Sequence, residues 1–448
     1  MVDMAPGLMV ALMFGGLFIG LFMGMPLAFV LGGLATIFGV LGWGWGGLGI
    51  FMGRLDGLMR DYTLSAIPLF ILMAQLMSAS GMAEGLFETA KYLFGPVRGG
   101  IAVAVIVVST LLAACTGITG AACVSMGLLG LPIMLKNRYD KNLACGSIIG
   151  SSALGILIPP SIMLVVMAEQ TGETVGRLFA GAIIPGLILS SLYITYTLYQ
   201  CWRHPHKGPA LSLEERSKYT GKQLAKMTLV NLFPPLILIF AVLGVLFAGI
   251  ATPTEAAASG CFFALILYIA YGKFNLKGFV KIVSDSAKSS AMVLVVMVGA
   301  NCFTGVFMGL GGGAAVKDFI LGMGFGKWGT FLVMMVISFL LGMFLDWTAI
   351  VMITFPVYIP LVMHLGFDKF WFVVAMAVML QDSFCTPPFG YNLFYLKGCA
   401  PPEITTKHIW MGAVPFWILM EVGMIIVCVW PTTITWLPTI LVRSATGG

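Results

Sequence analysis

The sequence predicts an all-α membrane protein made of two related halves, and three observations carry that prediction. The first is composition: hydrophobic residues make up 59% of the 448 residues and charged ones only 9%. About 20 apolar residues span the roughly 30 Å hydrocarbon core of a bilayer, and apolar runs reach that length at 7–50, 101–135, 178–200, 229–253 and 409–442. The second is a repeat. Pro132, Asp140 and the pair Pro159-Pro160 recur 228 residues later as Pro360, Asp368 and Pro387-Pro388, with spacings of eight and nineteen residues kept. The third is the placing of the 24 Lys and Arg residues, which gather in short loops between the apolar runs.

Those loops set the topology. The stretch 201–228 holds Arg203, Lys207, Arg216, Lys218, Lys222 and Lys226 and is read as a cytoplasmic loop. The N-terminus lacks a basic n-region and runs into an apolar stretch longer than a signal peptide's, so it reads as the first transmembrane helix. In the first half, residues 1–62 read as apolar crossings followed by an amphipathic stretch around Arg54 to Asp61 that could lie at the interface as an arm. Residues 63–200 hold the remaining membrane elements of this half. Within it, 101–135 is too long for one crossing, because 35 helical residues would measure about 52 Å. Thr116, Gly117, Thr119 and Gly120 lie at its middle and can leave helical geometry. The stretch therefore reads as a re-entrant hairpin opening to the cytoplasm, which is tolerated only where protein or a water-filled cavity receives the tip.

The second half repeats the plan. Residues 229–288 are expected to be crossings with an arm over Phe274 to Asp285. Residues 289–430 hold the remaining elements, with a hairpin over 329–363 opening to the outside, and 431–448 are expected to form a periplasmic C-terminal tail. This arrangement leaves 17 Lys and Arg inside and 7 outside. The loop Lys136-Asn-Arg-Tyr-Asp-Lys141 is basic, whereas His364-Leu-Gly-Phe-Asp-Lys369 is formally neutral, so the repeat reads as inverted.

After each hairpin comes a crossing broken by two prolines, at Pro159-Pro160 and Pro387-Pro388. Each proline removes an amide donor and pushes on the carbonyl one turn earlier. The freed carbonyls, with the hydroxyls of Ser161, Ser383 and Thr386, form an oxygen-rich cluster suited to a sodium ion. Broken-helix dipole ends suit an ion and an anionic substrate together. Asp346 is the only charge in the second hairpin, and such a carboxylate is costly if it faces lipid; the plainer alternative makes it the cap of the second hairpin arm. The nine cysteines and four histidines show no CxxC, HExxH or other metal pattern. No GxSxG and no GxGD motif is present, so an intramembrane enzyme is not expected. No nucleic-acid partner is expected either.

The tip Thr116-Gly117-Ile118-Thr119-Gly120-Ala121, the run from Gly155 to Pro159-Pro160-Ser161, Asp346-Trp347-Thr348-Ala349 and Thr386-Pro-Pro-Phe-Gly390 resemble the large membrane subunit, DctM type, of tripartite ATP-independent periplasmic (TRAP) transporters. The likeness covers essentially the whole chain. It implies an elevator-type secondary transporter of the bacterial inner membrane, with 1–62 and 229–288 as scaffold and 63–200 and 289–430 as transport regions, Na+ as coupling ion and no cofactor. It also implies a small four-helix DctQ-type membrane subunit as a separate chain, and a periplasmic substrate-binding protein that delivers an organic acid. Carried over by motif position, one sodium site would use Ala114, Gly117, Gly155 and Ile158 with Ser161 nearby, and its mirror Gly342, Ser383, Thr386 and Phe389. Substrate would lie near Thr119, Gly120, Asp346, Thr348 and Asn392. Two departures from the family pattern are Trp347, where many relatives have proline, and Asp382, an extra carboxylate beside the second motif. The rival reading is a self-sufficient ion-coupled dicarboxylate symporter or antiporter of a related inverted-repeat fold.

Overall fold

The structure is a computed structural model that describes residues 5–387 and 390–446, with side chains described as far as residue 441. Every regular element among the described residues is helical. The first half begins with two apolar helices, α1 (Pro6–Phe22) and α2 (Leu27–Trp43), the second starting directly after Pro26, whose missing amide suits a helix start. A 3-10 turn over Gly44–Gly47 leads into the amphipathic α3 (Leu48–Arg60). Asp61 then accepts from the Thr63 amide at 2.7 Å to start the turn Tyr62–Ser65, and α4 (Ala66–Ala79) and α5 (Met82–Phe94) follow. Next come α6 (Gly100–Thr116), α7 (Thr119–Lys136), α8 (Lys141–Ala153), a 3-10 turn over Leu154–Ile156, α9 (Ile162–Thr171) and α10 (Val175–Arg203).

After the short α11 (Leu213–Arg216), the second half runs through α12 (Gly221–Phe247), α13 (Pro253–Ala270), α14 (Leu276–Gly309), α15 (Gly312–Gly322), α16 (Gly326–Gly342) and α17 (Trp347–His364). It ends with α18 (Lys369–Met379), α19 (Asp382–Cys385), α20 (Tyr391–Cys399), α21 (Thr406–Val429) and α22 (Thr432–Thr446). Among the described residues, 9 helices are long and apolar enough to cross a membrane.

Several expected elements shift. The apolar run 7–50 is not helical throughout: the helix that begins at Leu27 stops at Trp43, because Gly44 takes a positive φ of 64°. The arm near residues 54–61 is the end of α3. The second arm is no separate element: Phe274 precedes the helix, and the rest of 274–285 is continuous with the following crossing in the 34-residue α14. No proline interrupts that helix, so nothing breaks its hydrogen-bond ladder. Helices α5 and α15 lie where the sequence reading placed no element. Each follows a glycine in the left-handed region that ends the preceding helix, Gly81 at φ 74° and Gly311 at φ 82°.

The repeated aspartates have a local cause. Asp140 accepts from the Leu143 amide at 2.9 Å and Asp368 from the Trp371 amide at 2.7 Å, each capping the helix that leads to a double proline. Those helices occupy the core. All of Leu143–Ala153 is buried, as is all of Phe370–Met379. α8 lies against α21 with almost no side chain between the backbones. A Cβ on Gly146 would run into the Gly412 carbonyl, and one on Gly150 would stand 2.7 Å from the Phe416 ring. Small residues at such crossings let helix backbones approach closely.

Candidate functional site

The site is built where two helix pairs meet two interrupted helices. α6 and α7 pack on each other across a two-residue turn. Gly117 closes α6 with φ 61° and donates its amide to the Ala113 carbonyl, while Ile118 is extended. A Cβ at Gly117 would sit 2.6 Å from the Pro160 carbonyl oxygen, so this turn rests directly on the break that follows α8. Gly155, in the 3-10 turn entering that break, lies on the other side at a looser distance: its Cβ would be 3.3 Å from the Thr119 amide nitrogen. Ala114, Ile158 and Ser161 are buried around the same contact. Ser161 donates its hydroxyl to the Ile156 carbonyl and accepts from the Leu164 amide at 3.4 Å, capping α9. The last-turn carbonyls of a helix lack partners within it, and here the ends of α6 and α8 are both directed into this region.

The second half places its residues in a comparable relation. α16 ends at Gly342, and a Cβ there would collide with the Ser383 hydroxyl of α19. Thr386 closes α19, its amide and hydroxyl both reaching the Asp382 carbonyl, the latter at 2.8 Å. Asp346 accepts from the Thr348 amide at 3.2 Å and caps α17. The capping alternative is therefore realised, and it leaves the half-buried carboxylate at the helix's positive end. Phe389, expected in the second ion site, lies outside the described residues.

The expected substrate residues do not all share one surroundings. Thr119 and Gly120 start α7, and a Cβ on Gly120 would stand 3.0 Å from the Tyr395 ring of α20. Tyr395 and Tyr391 both lie within electrostatic reach of Asp346, so the two turns approach each other around these tyrosines. Thr348 is buried. Asn392 is different: fully buried, it donates its side-chain amide to the Ile149 carbonyl and the Ser152 hydroxyl of α8, each at 3.2 Å. It ties the second half to the first.

Sequence reasoning passed over Tyr391, Tyr395, Ser152 and Glu421. The tyrosines carried a usable signal, two phenol groups at i and i+4 just after a helix break. Glu421 carried a stronger one, since an acid inside an apolar run is unusual in a membrane. The cavity of about 320 Å³ lined by Asp140, Asn142, Tyr196, Gln200 and Lys207 lies away from both turns. The nine cysteines are free, seven of them buried and two half-buried, in keeping with helix packing.

A chain whose described residues form only helices, nine of them potential spans, around an interior of interrupted helices is a multi-pass membrane transport protein. Comparison with known proteins gives the family. The profile described as "Tripartite ATP-independent periplasmic transporter, DctM component" matches residues 11–433, and the chain belongs to that family. It is 30% identical over 390 residues to the C4-dicarboxylate TRAP transporter large permease protein DctM of Pseudomonas aeruginosa, covering 86% of this chain and 88% of that one. It is also 30% identical over 345 residues to the isethionate TRAP transporter permease protein DctMQ of Oleidesulfovibrio alaskensis, covering 77% of this chain and 53% of that longer one. In fold it is similar to the YdaH transporter of Alcanivorax borkumensis, with a TM-score of 0.65 over 97% of this chain and 99% of that chain at 14% identity. The chain is thus a large permease of a bacterial TRAP transporter, and not an enzyme.

Proposed function

We propose that this permease takes up an organic acid by an elevator motion driven by the sodium gradient. In this reading α6 with α7 and α16 with α17 are re-entrant hairpins opening on opposite faces of an inverted repeat. The observation that carries it is the seating of each turn on the interrupted helix of its own half, Gly117 on Pro160 and Gly342 on Ser383. Backbone carbonyls, Ser161, Ser383 and Thr386 supply hard oxygen ligands there, which suit sodium better than softer metals. One sodium would lie among Ala114, Gly117, Gly155, Ile158 and Ser161, the other among Gly342, Ser383 and Thr386. The carboxylate substrate would lie between the turns, near Thr119, Gly120, Asp346 and Thr348, with Asn392 holding the two halves together behind it.

The partners in this reading are a small DctQ-type subunit as a separate chain and a periplasmic binding protein that selects the acid. The name of the DctMQ relative joins both membrane components, so a separate small subunit is proposed for this chain alone. The protein would sit in the inner membrane with its C-terminus in the periplasm. The self-sufficient carrier is less favoured, because the closely matched relatives are named as permeases of tripartite systems.

Reconstitution tests the proposal. Proteoliposomes holding this chain and its small subunit should accumulate a radiolabelled organic acid only with the binding protein outside and an inward sodium gradient. Uptake by this chain alone would sink the tripartite reading, and uptake unchanged when potassium replaces sodium would sink the coupling.

A further inference from the structure

One polar cluster in the interior belongs to neither hairpin turn. Asp382, the first residue of α19, is 2% exposed, and its Oδ1 has no hydrogen-bond partner. Its carboxyl is in hydrogen-bonding contact with that of Glu421 on α21. Gln381, fully buried, donates its amide to the Val378 carbonyl and leaves Oε1 without a partner. Tyr193 of α10, also fully buried, feels the Asp382 charge and has an unpartnered hydroxyl. Trp417, one turn before Glu421, leans toward its carboxyl without closing a hydrogen bond. No lysine, arginine or histidine is among the groups acting on either carboxyl.

Two touching carboxyls can satisfy that one contact by holding a proton between them. The proton does not satisfy the rest. With a single shared proton one negative charge remains in surroundings where it is costly, to be removed by a second proton or by a cation, and Asp382 Oδ1 and Gln381 Oε1 are acceptors without donors. What is left over is a single charge and a set of hard oxygen ligands. The donors are carboxyl, amide and phenol oxygens, with neither sulfur nor imidazole, which suits a hard cation rather than a transition metal. We propose that Asp382 and Glu421, with Gln381 Oε1 and the Tyr193 hydroxyl, form a binding site for a monovalent metal cation of the sodium class. The site is distinct from the one at the second hairpin. Ser383 faces Gly342 of α16, whereas Asp382 faces α21, so neighbouring residues serve two sides of one short helix. Glu421 is half-buried.

Binding of ²²Na⁺ to the purified full chain in nanodiscs, counted per chain, tests this. Asp382→Asn and Glu421→Gln should each bind one sodium fewer than the wild type. Thr386→Ala should lose a different ion, so that Asp382→Asn combined with Thr386→Ala loses two. Loss in the carboxyl variants without loss in Thr386→Ala would uphold this site and overturn the one proposed at Thr386. An unchanged count in both folded carboxyl variants overturns the inference and leaves a shared proton only. Should the variants fail to fold, infrared difference spectra of the wild type decide. A carboxyl band that shifts when sodium replaces choline at fixed pH supports the site, and one that responds to pH but not to sodium overturns it.

Discussion

Replacing Gly117 by alanine tests the seating of the first hairpin turn on its broken helix. Gly117 has φ 61°, a conformation that costs an L-residue about 1 kcal/mol. Its new Cβ would also stand 2.6 Å from the Pro160 carbonyl oxygen, which is backbone and cannot rotate away. Overpacking of that kind typically costs about 1–3 kcal/mol. Together these amount to about 2–4 kcal/mol, or roughly a 30- to 700-fold loss in the population of the seated turn. Gly172→Ala separates the two terms, because Gly172 has φ 66° but nothing within 4 Å of a Cβ, so it carries the conformational cost alone. Sodium-dependent thermal stabilisation of the purified protein is the assay, with uptake in proteoliposomes beside it. Gly117→Ala should lose most of the sodium effect while Gly172→Ala keeps it. Equal behaviour of the two variants would refute the seated turn as the origin of the proposed ion site.

Three further outcomes are expected. Asp346→Asn and Thr386→Ala should each lower sodium-driven uptake by about tenfold or more, the scale of a lost hydrogen bond to a charged group, with membrane insertion unchanged; wild-type uptake in both would remove the assignment. Asp140→Ala and Asp368→Ala should each cost about 1 kcal/mol as lost helix caps, read as a lower melting temperature beside the exposed control Glu214→Ala, and no difference from that control would refute the capping role. A cysteine at Ser212 should be labelled only from the cytoplasm and one at His364 only from the periplasm, against a background of nine native cysteines that are buried or half-buried; the reverse or a mixed pattern would break the inverted topology. His364 serves better than the neighbouring Gly366, whose φ of 71° a cysteine would strain.

Much of this fold was legible because a bilayer leaves few options. With no water in the core, backbone groups must bond internally, so apolar runs of sufficient length become helices. The repeated aspartates were legible for a local reason, since capping depends on residues three apart. What the sequence concealed depends on tertiary surroundings. α5 carries Glu84, Glu88 and Lys91 and reads as a loop until its opposite side, with Leu86, Phe87 and Ala90, is seen buried. The continuity of α14 was hidden by the lysines at its start, although the absence of proline pointed to it. The approach of Gly120 to Tyr395 joins residues 275 positions apart, and no local pattern could announce it.

The two hairpin turns also show where the repeat departs from symmetry, and why. Asp346 aligns with Ile118 at the repeat spacing of 228 residues, and Asp382 with Leu154. The first turn is tight: Gly117 closes one helix in the left-handed region and a single extended residue precedes the next. The second is longer, spanning Met343 to Asp346, and the next helix is started by a carboxylate cap. Ile118 therefore has no capping task, whereas Asp346 has one and brings a charge with it. On the sodium-coupled reading, an ion in the first half would meet only neutral oxygens and helix ends, while one in the second half would also feel the Asp346 carboxylate, four residues beyond Gly342. Fixed charges act more strongly in a low-dielectric interior than dipoles of the same reach. On the sodium-coupled reading the second half is accordingly the tighter site, and the first is the one that empties as sodium falls.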